Sequence, residues 1–271
     1  MSHSLTKARR PADRAVLAVP LSTAGLLLAA LSTAATAANL PTKAPQPAAY
    51  SWSGCYVGVN GGGGASSSDF NANVGAGGYL SGTDPGTVAA DGGGSANDTR
   101  FIGGGQLGCN WQTSTVVFGL EGDFDYFRGN ANLYNNTDTL AAGTPFAVGQ
   151  SVTTSYLATV RPRIGIAADR NFAYITGGAA FTDASYTETY ADAAGGLGSA
   201  SASKFVTGWT AGAGWEYAWT DHWTLRFEYL FADFSTTSAT GLITGPGGAN
   251  PLSGSGDLVI QVARAGVNFR F

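Results

Sequence analysis

VVFGLEGDFDY, at residues 116–126, alternates large apolar side chains with carboxylates, and this alternation decides the fold class of the chain. Successive side chains of an extended strand point to opposite faces, so the two kinds of residue separate. One face carries Val116, Phe118, Leu120, Phe124 and Tyr126. The other face carries Glu121, Asp123 and Asp125. The segment therefore predicts a β-strand with one apolar and one acidic face.

The same period of two recurs along the rest of the chain. It predicts eight strands, at residues 53–65, 100–112, 115–127, 152–166, 172–185, 204–218, 223–235 and 257–271. Long connections rich in Gly, Ser, Asn, Asp and Thr are predicted at 66–99, 128–151, 186–203 and 236–256. Short turns are predicted at 113–114, 167–171 and 219–222. Antiparallel strands joined in this order place every long loop at one end of the sheet.

The length and the number of these strands indicate a membrane protein. Most exceed the usual strand of about five or six residues and match the roughly 9–11 residues that cross a bilayer at a tilt. An open edge in hydrocarbon leaves backbone groups unpaired, so the last strand must pair with the first. We predict an all-β fold, an eight-stranded antiparallel up-and-down transmembrane β-barrel with long extracellular loops and short periplasmic turns.

The apolar faces of the strands are predicted to contact lipid. The interior of an eight-stranded barrel is only wide enough to be filled by side chains, and the many aromatic residues would not fit there. Strand 152–166 contributes four outward residues: Val152, Tyr156, Val160 and Ile164. Near the short turns, an interfacial girdle is expected from Trp52, Trp111, Trp215, Trp219 and Trp223. The alternative is an inverted, soluble ligand carrier with the aromatic side chains inside.

The opposite parity places ten charges inside the barrel. The five carboxylates are Glu121, Asp123, Asp125, Glu216 and Glu228, and the five guanidinium groups are Arg161, Arg163, Arg226, Arg264 and Arg270. Buried charges are tolerated when they are paired and hydrogen-bonded, and guanidinium groups match carboxylates in geometry. We predict a structural charge network in the interior; a pore lined by the same charges is the alternative.

Composition limits the compartment and the class of protein. The 271 residues include 40 Gly and only 12% charged residues, with 11% aromatic residues, too many for a disordered chain. Residues 1–37 are typical of a signal peptide and 38–51 of a Pro-rich periplasmic tether, which leaves 52–271 for the barrel. An N-terminal membrane anchor is the alternative to cleavage. The sequence pI of about 5.0 argues against nucleic-acid binding.

Three patterns resemble chemical sites. Gly103, Gly105 and Gly108 have the spacing of a phosphate-binding loop, but they lie inside an alternating segment instead of before a helix. His222 lies beside Asp221 in a predicted turn with no nucleophile motif nearby. The acidic residues of 121–125 face arginines of the next strand, which favours neutralisation over metal binding. We predict no catalytic residue, no cofactor and no metal site.

The two cysteines are predicted to pair. Cys55 and Cys109 fall on the outward parity of neighbouring strands, both close to the short-turn end. Sequence-adjacent strands that pair antiparallel bring these two positions together, and an exported protein meets an oxidising compartment. Two free lipid-facing thiols are the alternative.

Several of these segments together resemble one protein family. SWSGCYVGVNGGGG resembles its opening W-x-G-x-Y-x-G segment, GGGQLGCNWQ its second strand and VVFGLEGDF its third. RPRIGIAADRNFAYITGGAAF is similar to the fourth and fifth strands, and GWTAGAGWEYAWTDHWTLRFEYLFADF to the sixth and seventh. The family comprises the small eight-stranded outer-membrane β-barrels of Gram-negative bacteria, the porin-family or outer-membrane immunogenic surface proteins, related to the barrel of outer membrane protein A. The resemblance covers about residues 50–271.

The resemblance implies a role in the outer membrane but does not imply a defined substrate. Phe269 and Phe271, in the terminal ARAGVNFRF, resemble the C-terminal signal that the barrel-assembly machinery reads. The implied role is that of a non-enzymatic surface antigen in the outer membrane that contributes to envelope integrity. The expected partners are outer-membrane lipid, the assembly machinery and an extracellular or host ligand bound through the loops. The alternatives are a narrow passive porin for small solutes and a loop-mediated adhesin.

Overall fold

The computed structural model describes residues 50–271. The strands are β1 (Gly54–Val74), β2 (Gly94–Thr113), β3 (Val116–Asn135), β4 (Phe146–Ala168), β5 (Asn171–Asp192), β6 (Leu197–Ala218), β7 (Trp223–Gly245) and β8 (Gly248–Arg270), with one helix, α1 (Asp84–Asp91), between β1 and β2. The predicted signal peptide and the predicted tether up to residue 49 lie outside the described residues.

The eight strands form one closed barrel in sequence order, which confirms the predicted fold class. Every neighbouring pair is antiparallel, and β8 closes the ring on β1 from Tyr56↔Arg270 to Val74↔Leu252. The connections 114–115, 169–170 and 219–222 define the turn end of the barrel. The connections 75–93, 136–145, 193–196 and 246–247 define the loop end.

Among residues 50–271, no helix has both the length and the apolar character that a membrane crossing needs.

The predicted loops are wrong in length, because the strands continue far beyond the alternating segments. β1 runs to Val74 and β2 begins at Gly94, so 66–74 and 94–99 are strand. β7 runs to Gly245 and β8 begins at Gly248, so nearly all of 236–256 is strand. The connections at 193–196 and 246–247 are tight turns, and 75–93 is the longest loop. The extensions carry Ser, Thr, Asn and Gly on their outward face, so they lack the strong contrast between apolar and polar residues that revealed the lower strands. Backbone pairing with neighbouring strands stabilises them instead.

The outward face of the turn-end half is apolar. Exposed residues of this band include Leu107, Leu120, Phe124, Trp209, Trp215, Phe227 and Tyr229. The prediction that Val152 faces lipid is wrong, because this residue is 1% exposed and faces the interior. The register between β4 and β5 shifts between Thr153 and Ala158, and the extra residue reverses the parity of β4 beyond this point.

The interior consists of two layers. The turn-end half holds the charged residues, and the loop-end half holds a hydrophobic core that includes Phe70, Phe146 and Phe234. Where the layers meet, the next inward position on five strands carries a ring of fully buried apolar side chains: Ile102, Phe127, Leu157, Leu230 and Val262. This ring separates the charged layer from the loop end of the barrel.

Candidate functional site: the charged layer and the two barrel ends

The charged layer is built from directly opposed residues of neighbouring strands. Glu121 on β3 lies opposite Arg161 on β4, and Glu228 on β7 lies opposite Arg264 on β8. The corresponding atoms form ion pairs: Arg161 Nη2 lies 2.8 Å from Glu121 Oε1, and Arg264 Nη2 lies 2.6 Å from Glu228 Oε2. Placing opposite charges on paired strands therefore neutralises them as the barrel closes.

Arg226 crosses the barrel to join these pairs. It donates to both oxygens of Glu121, over 2.6 and 2.7 Å, although the two residues are 105 positions apart. Its Nη2 also lies 2.5 Å from Glu228 Oε2. All three side chains are at most 2% exposed, so this bidentate contact is screened little by solvent.

The remaining members of the layer sit around this centre. Asp123 binds Arg161 at 2.8 Å and Arg264 at 3.2 Å, while Asp125 binds Arg264. Glu216 binds Arg163 at 2.6 Å. The structure thus brings together nine of the ten residues that the sequence places inside.

Aromatic rings surround Arg163 at the turn-end side of the layer. Its guanidinium carbon lies 4.7 Å from the ring centre of Tyr56 and 5.1 Å from that of Tyr174. The two phenols also donate to the layer, Tyr56 to Glu121 and Tyr174 to Glu228, the latter over 2.9 Å. The sequence reasoning missed both tyrosines, although their inward parity opposite Cys55 and Ile175 would have identified them.

The prediction that Arg270 belongs to the interior charge network is wrong. It is buried, but it makes no ion pair among the described residues and binds the segment before β1 instead. Its Nη2 donates to the carbonyls of Ser51 and Ser53 at 2.9 and 2.8 Å, and its Nη1 donates to the Tyr50 hydroxyl. As the last residue of β8, it lies beyond the reach of the carboxylates and fixes the incoming chain.

The prediction that Trp52 belongs to the interfacial girdle of tryptophans is wrong. It is 0% exposed and packs inside the turn end, with its ring centre 5.2 Å from that of Phe172. Its indole N–H donates to the Asp169 carbonyl at 3.1 Å, and the Arg270 guanidinium lies 5.6 Å from its ring. Trp52 precedes β1, so strand parity does not govern its direction. It closes the turn end, whereas the other four predicted girdle tryptophans are exposed.

The loop end is covered by the segment 75–93. Leu80 and Val88 are 1% exposed and pack on the hydrophobic core. Asn250 on β8 accepts from the Leu80 N–H at 2.7 Å and donates to the Leu80 carbonyl at 2.9 Å. The Tyr79 hydroxyl lies within 3.0 Å of both Asp192 oxygens. We call this segment the lid.

Asp192 is the polar anchor of the lid. Burial by itself raises the pKa of Asp192, but hydrogen bonds from the Tyr190 hydroxyl, the Gly196 N–H and the Tyr79 hydroxyl outweigh burial and lower it. The ionised carboxylate therefore holds the lid on the rim of β5. The same burial, together with this carboxylate, raises the pKa of Tyr190, so its hydroxyl stays a donor.

The cysteines and the terminal residues lie on the outside of the turn end. Cys55 and Cys109 are directly opposed on β1 and β2 and form the predicted disulfide, which is thereby confirmed. Phe269 packs edge-on against Trp223 with ring centres 5.1 Å apart, and Phe271 is 74% exposed.

The remaining patterns have structural explanations. Gly108 lies where a Cβ would stand 2.4 Å from the Tyr56 hydroxyl, so glycine lets that hydroxyl reach Glu121. His222 Nδ1 contacts the Arg270 carbonyl at 3.1 Å, while Asp221 pairs with Arg170. Among residues 50–271, no three His, Cys, Asp or Glu side chains are grouped to hold a metal ion.

Comparisons with known proteins identify a family and several relatives. The family model described as outer membrane protein beta-barrel domain matches residues 24–271. The 31 kDa outer-membrane immunogenic protein of Brucella melitensis is 37% identical over 205 residues, which cover 72% of this chain and 76% of that protein. Two solved structures of outer-membrane proteins also match at low identity. For the outer membrane protein OprG from Pseudomonas aeruginosa the identity is 12%, the TM-score 0.38 and the coverage 81% of this chain and 97% of OprG. For the outer membrane protease OmpT from Escherichia coli the identity is 7% and the TM-score 0.45, and the match covers 83% of this chain and 99% of OmpT.

Proposed function

This chain belongs to the outer membrane protein β-barrel family and resides in the outer membrane, and from this membership we propose that it is a non-enzymatic, non-conducting barrel that contributes to envelope integrity. In this role the closed wall and the filled interior anchor the protein in the membrane, and the loop end faces the cell exterior. The relative from Brucella melitensis is named an immunogenic protein, which supports a surface-exposed loop end.

The observation that carries the proposal is the filled interior. A solute moving along the barrel axis meets Trp52 at the turn end, then the charged layer, then the ring formed by Ile102, Phe127, Leu157, Leu230 and Val262, and finally the lid. Opening the charged layer requires separating buried ion pairs, which costs several kcal/mol when one partner is left unpaired. A passive porin needs a water-filled path that eight strands leave no room for.

The placement of the polar residues supports the absence of catalysis. The charged groups are at most 6% exposed and bind one another or the chain before β1, so they are engaged in the interior instead of facing a cleft. His222 contacts a backbone carbonyl at the turn end. A general base needs hydrogen-bond access to a substrate proton, and the buried charged groups lack it.

Insertion of the barrel is proposed to use the terminal phenylalanines. Phe269 presents its ring on the outer face of β8, the strand that closes the barrel on β1, and the exposed Phe271 directly follows that strand. Recognition of this strand by the assembly machinery before closure fits the position of these residues at the seam. Extracellular or host ligands, if bound, would contact the lid and the connection 136–145.

Planar-bilayer conductance of the purified protein tests the proposal. We expect no sustained openings from the wild-type protein. The matched variant lacks residues 77–91 of the lid, and it too should remain closed, because the apolar ring and the charged layer stay in place. Reproducible stepwise openings of the wild-type protein would show that the interior conducts and would favour the porin alternative.

A further inference from the structure

The wall between β2 and β3 splits at its loop-end half. Backbone pairing of these strands stops at Ile102↔Phe127, although β2 continues to Gly94 and β3 to Asn135. Side chains bridge the split. The Asp98 carboxylate accepts from the Asn130 N–H at 3.0 Å, and Asn135 Nδ2 donates to the Asp91 carbonyl at 2.6 Å. We call the space between 94–101 and 128–135 the wedge.

Two arginines stand at the narrow end of the wedge. Arg100 is 55% exposed in its side chain and donates to Asp98 at 2.8 Å. Arg128 is exposed and has no ion-pair partner among residues 50–271. On the same strands, the exposed Phe101 and Tyr126 end the apolar band just below them. Cations immediately beyond an aromatic belt lie at the level of lipid headgroups.

Buried polar atoms without partners line the inner side of the wedge. The hydroxyls of Ser66 and Ser68 are buried there without a hydrogen bond. The side-chain oxygen of Asn130 also lacks one, but it lies on the same face of β3 as Arg128, at the outer side of the wedge. Ser66 is paired with Asp98 and Ser68 with Ala96, so both lie beside the split part of β2. The Ser66 hydroxyl lies 2.9 Å from the place where a Cβ on Gly129 of β3 would stand. Unsatisfied buried groups cost free energy, so a polar occupant is expected here.

The outer surface of the barrel below the wedge, on its membrane side, is apolar. Below the arginines, the outward positions of β1 and β2 include Gly61, Gly63 and Gly105, where no bulky side chain projects, beside the exposed Phe101 and Leu107. A Cβ on Gly63 would meet nothing within 4 Å. The Phe101 ring lies over Gly61 and Gly103, so the open outward surface below the cations is at Gly63 and Gly105, on either side of that ring.

We propose that the wedge is the headgroup site for a phosphorylated glycolipid of the outer leaflet. Arg100 and Arg128 bind its phosphate, since guanidinium groups suit that anion in charge and geometry. Ser66, Ser68 and Asn130 supply hydrogen bonds for its sugar, and an acyl chain packs on Gly63 and the exposed Phe101 ring. The inference rests on the proposed orientation, in which the loop end faces the outside.

Lipid A binding by the refolded full-length mature protein tests this inference, with native mass spectrometry in detergent as the measurement. Arg128→Gln should weaken lipid A binding by about tenfold, because a charge-assisted contact is lost. The double variant R100Q/R128Q should weaken it further. Lys204→Gln is the matched control, since Lys204 is an exposed cation on β6, away from the wedge. It should change binding less than twofold. Arg128 has no intramolecular ion pair, so its variant should fold normally.

Four results would overturn the assignment. The first is unchanged lipid A binding by both arginine variants. The second is an equal loss in K204Q, which would indicate general charge attraction. The third is undiminished binding of dephosphorylated lipid A. The fourth is full competition by millimolar inorganic phosphate, which would indicate a free-anion site. Protease access to the lid on intact cells tests the orientation separately, so failure of this inference and failure of the proposed function are distinguishable.

Discussion

Arg226→Met is the perturbation that tests the charged layer most sharply. Arg226 makes the bidentate contact with Glu121 and the 2.5 Å contact with Glu228. Its removal leaves two carboxylates, each at most 2% exposed in its side chain, with fewer compensating charges. Removing one partner of a buried pair typically costs about 3–5 kcal/mol, so the free energy of unfolding should fall by about that amount.

Urea unfolding in lipid vesicles, followed by the heat-modifiable shift in gel migration, measures this loss. Arg170→Met is the matched control: its partner Asp221 is 79% exposed, and such surface pairs contribute about 0–1 kcal/mol. Glu121→Gln should cost less in the Arg226→Met background than in the wild type, because the two residues share one network. A loss below about 1 kcal/mol for Arg226→Met, equal to the control, would refute the idea that these charges are desolvated and paired.

Three further predictions concern the outside, the disulfide and the lid. Phe227→Lys should cost about 2–4 kcal/mol, because it places a charge in the apolar band, whereas Thr187→Lys, on the polar outer half of β5, should leave the unfolding free energy nearly unchanged; equal costs would contradict the assignment of the faces. The double variant C55A/C109A should lose about 2–4 kcal/mol relative to the oxidised protein but retain heat-modifiable migration, and failure to form a barrel would show that the disulfide is needed for folding. The lowered pKa of Asp192 means that its ionised form stabilises the lid at neutral pH and that this contribution is lost as pH falls through the folded-state value, below about 3.8. Limited proteolysis of the lid should therefore increase on acidification in the wild type and should depend less on pH in Asp192→Asn; identical pH profiles would disprove the anchor.

The turn-end half of the barrel could be predicted from the sequence because two solvents impose opposite demands on alternate residues. Phe124 and Asp125 differ so strongly in polarity that parity fixed the faces there, and the strand ends at Ala218 and Trp223 agree with the prediction. In the loop-end half the outward face meets water, and residues such as Ser67 and Asn71 resemble loop residues. Only backbone pairing reveals that they belong to strands.

The errors at single residues have local causes. The shift at β4 reversed the parity of Val152, and a bulge leaves no sequence signal of its own here. Trp52 and Arg270 come from opposite ends of the described residues and meet at the turn end, so their contact depends on barrel closure. The wedge escaped prediction for a different reason: β2 and β3 both continue as strands beyond Ile102 and Phe127, and only the loss of their pairing reveals it.

Quenching of tryptophan fluorescence by brominated lipids tests the central claim, that aromatic residues face acyl chains while the polar groups and Trp52 are enclosed. Trp209 is 54% exposed on the apolar band, and Trp52 is 0% exposed. Trp209→Phe should remove emission that brominated acyl chains quench, whereas Trp52→Phe should remove emission that neither brominated lipid nor aqueous acrylamide quenches. Lipid-quenched emission from Trp52, together with protection of Trp209, would contradict the account and place the aromatic face inside the barrel.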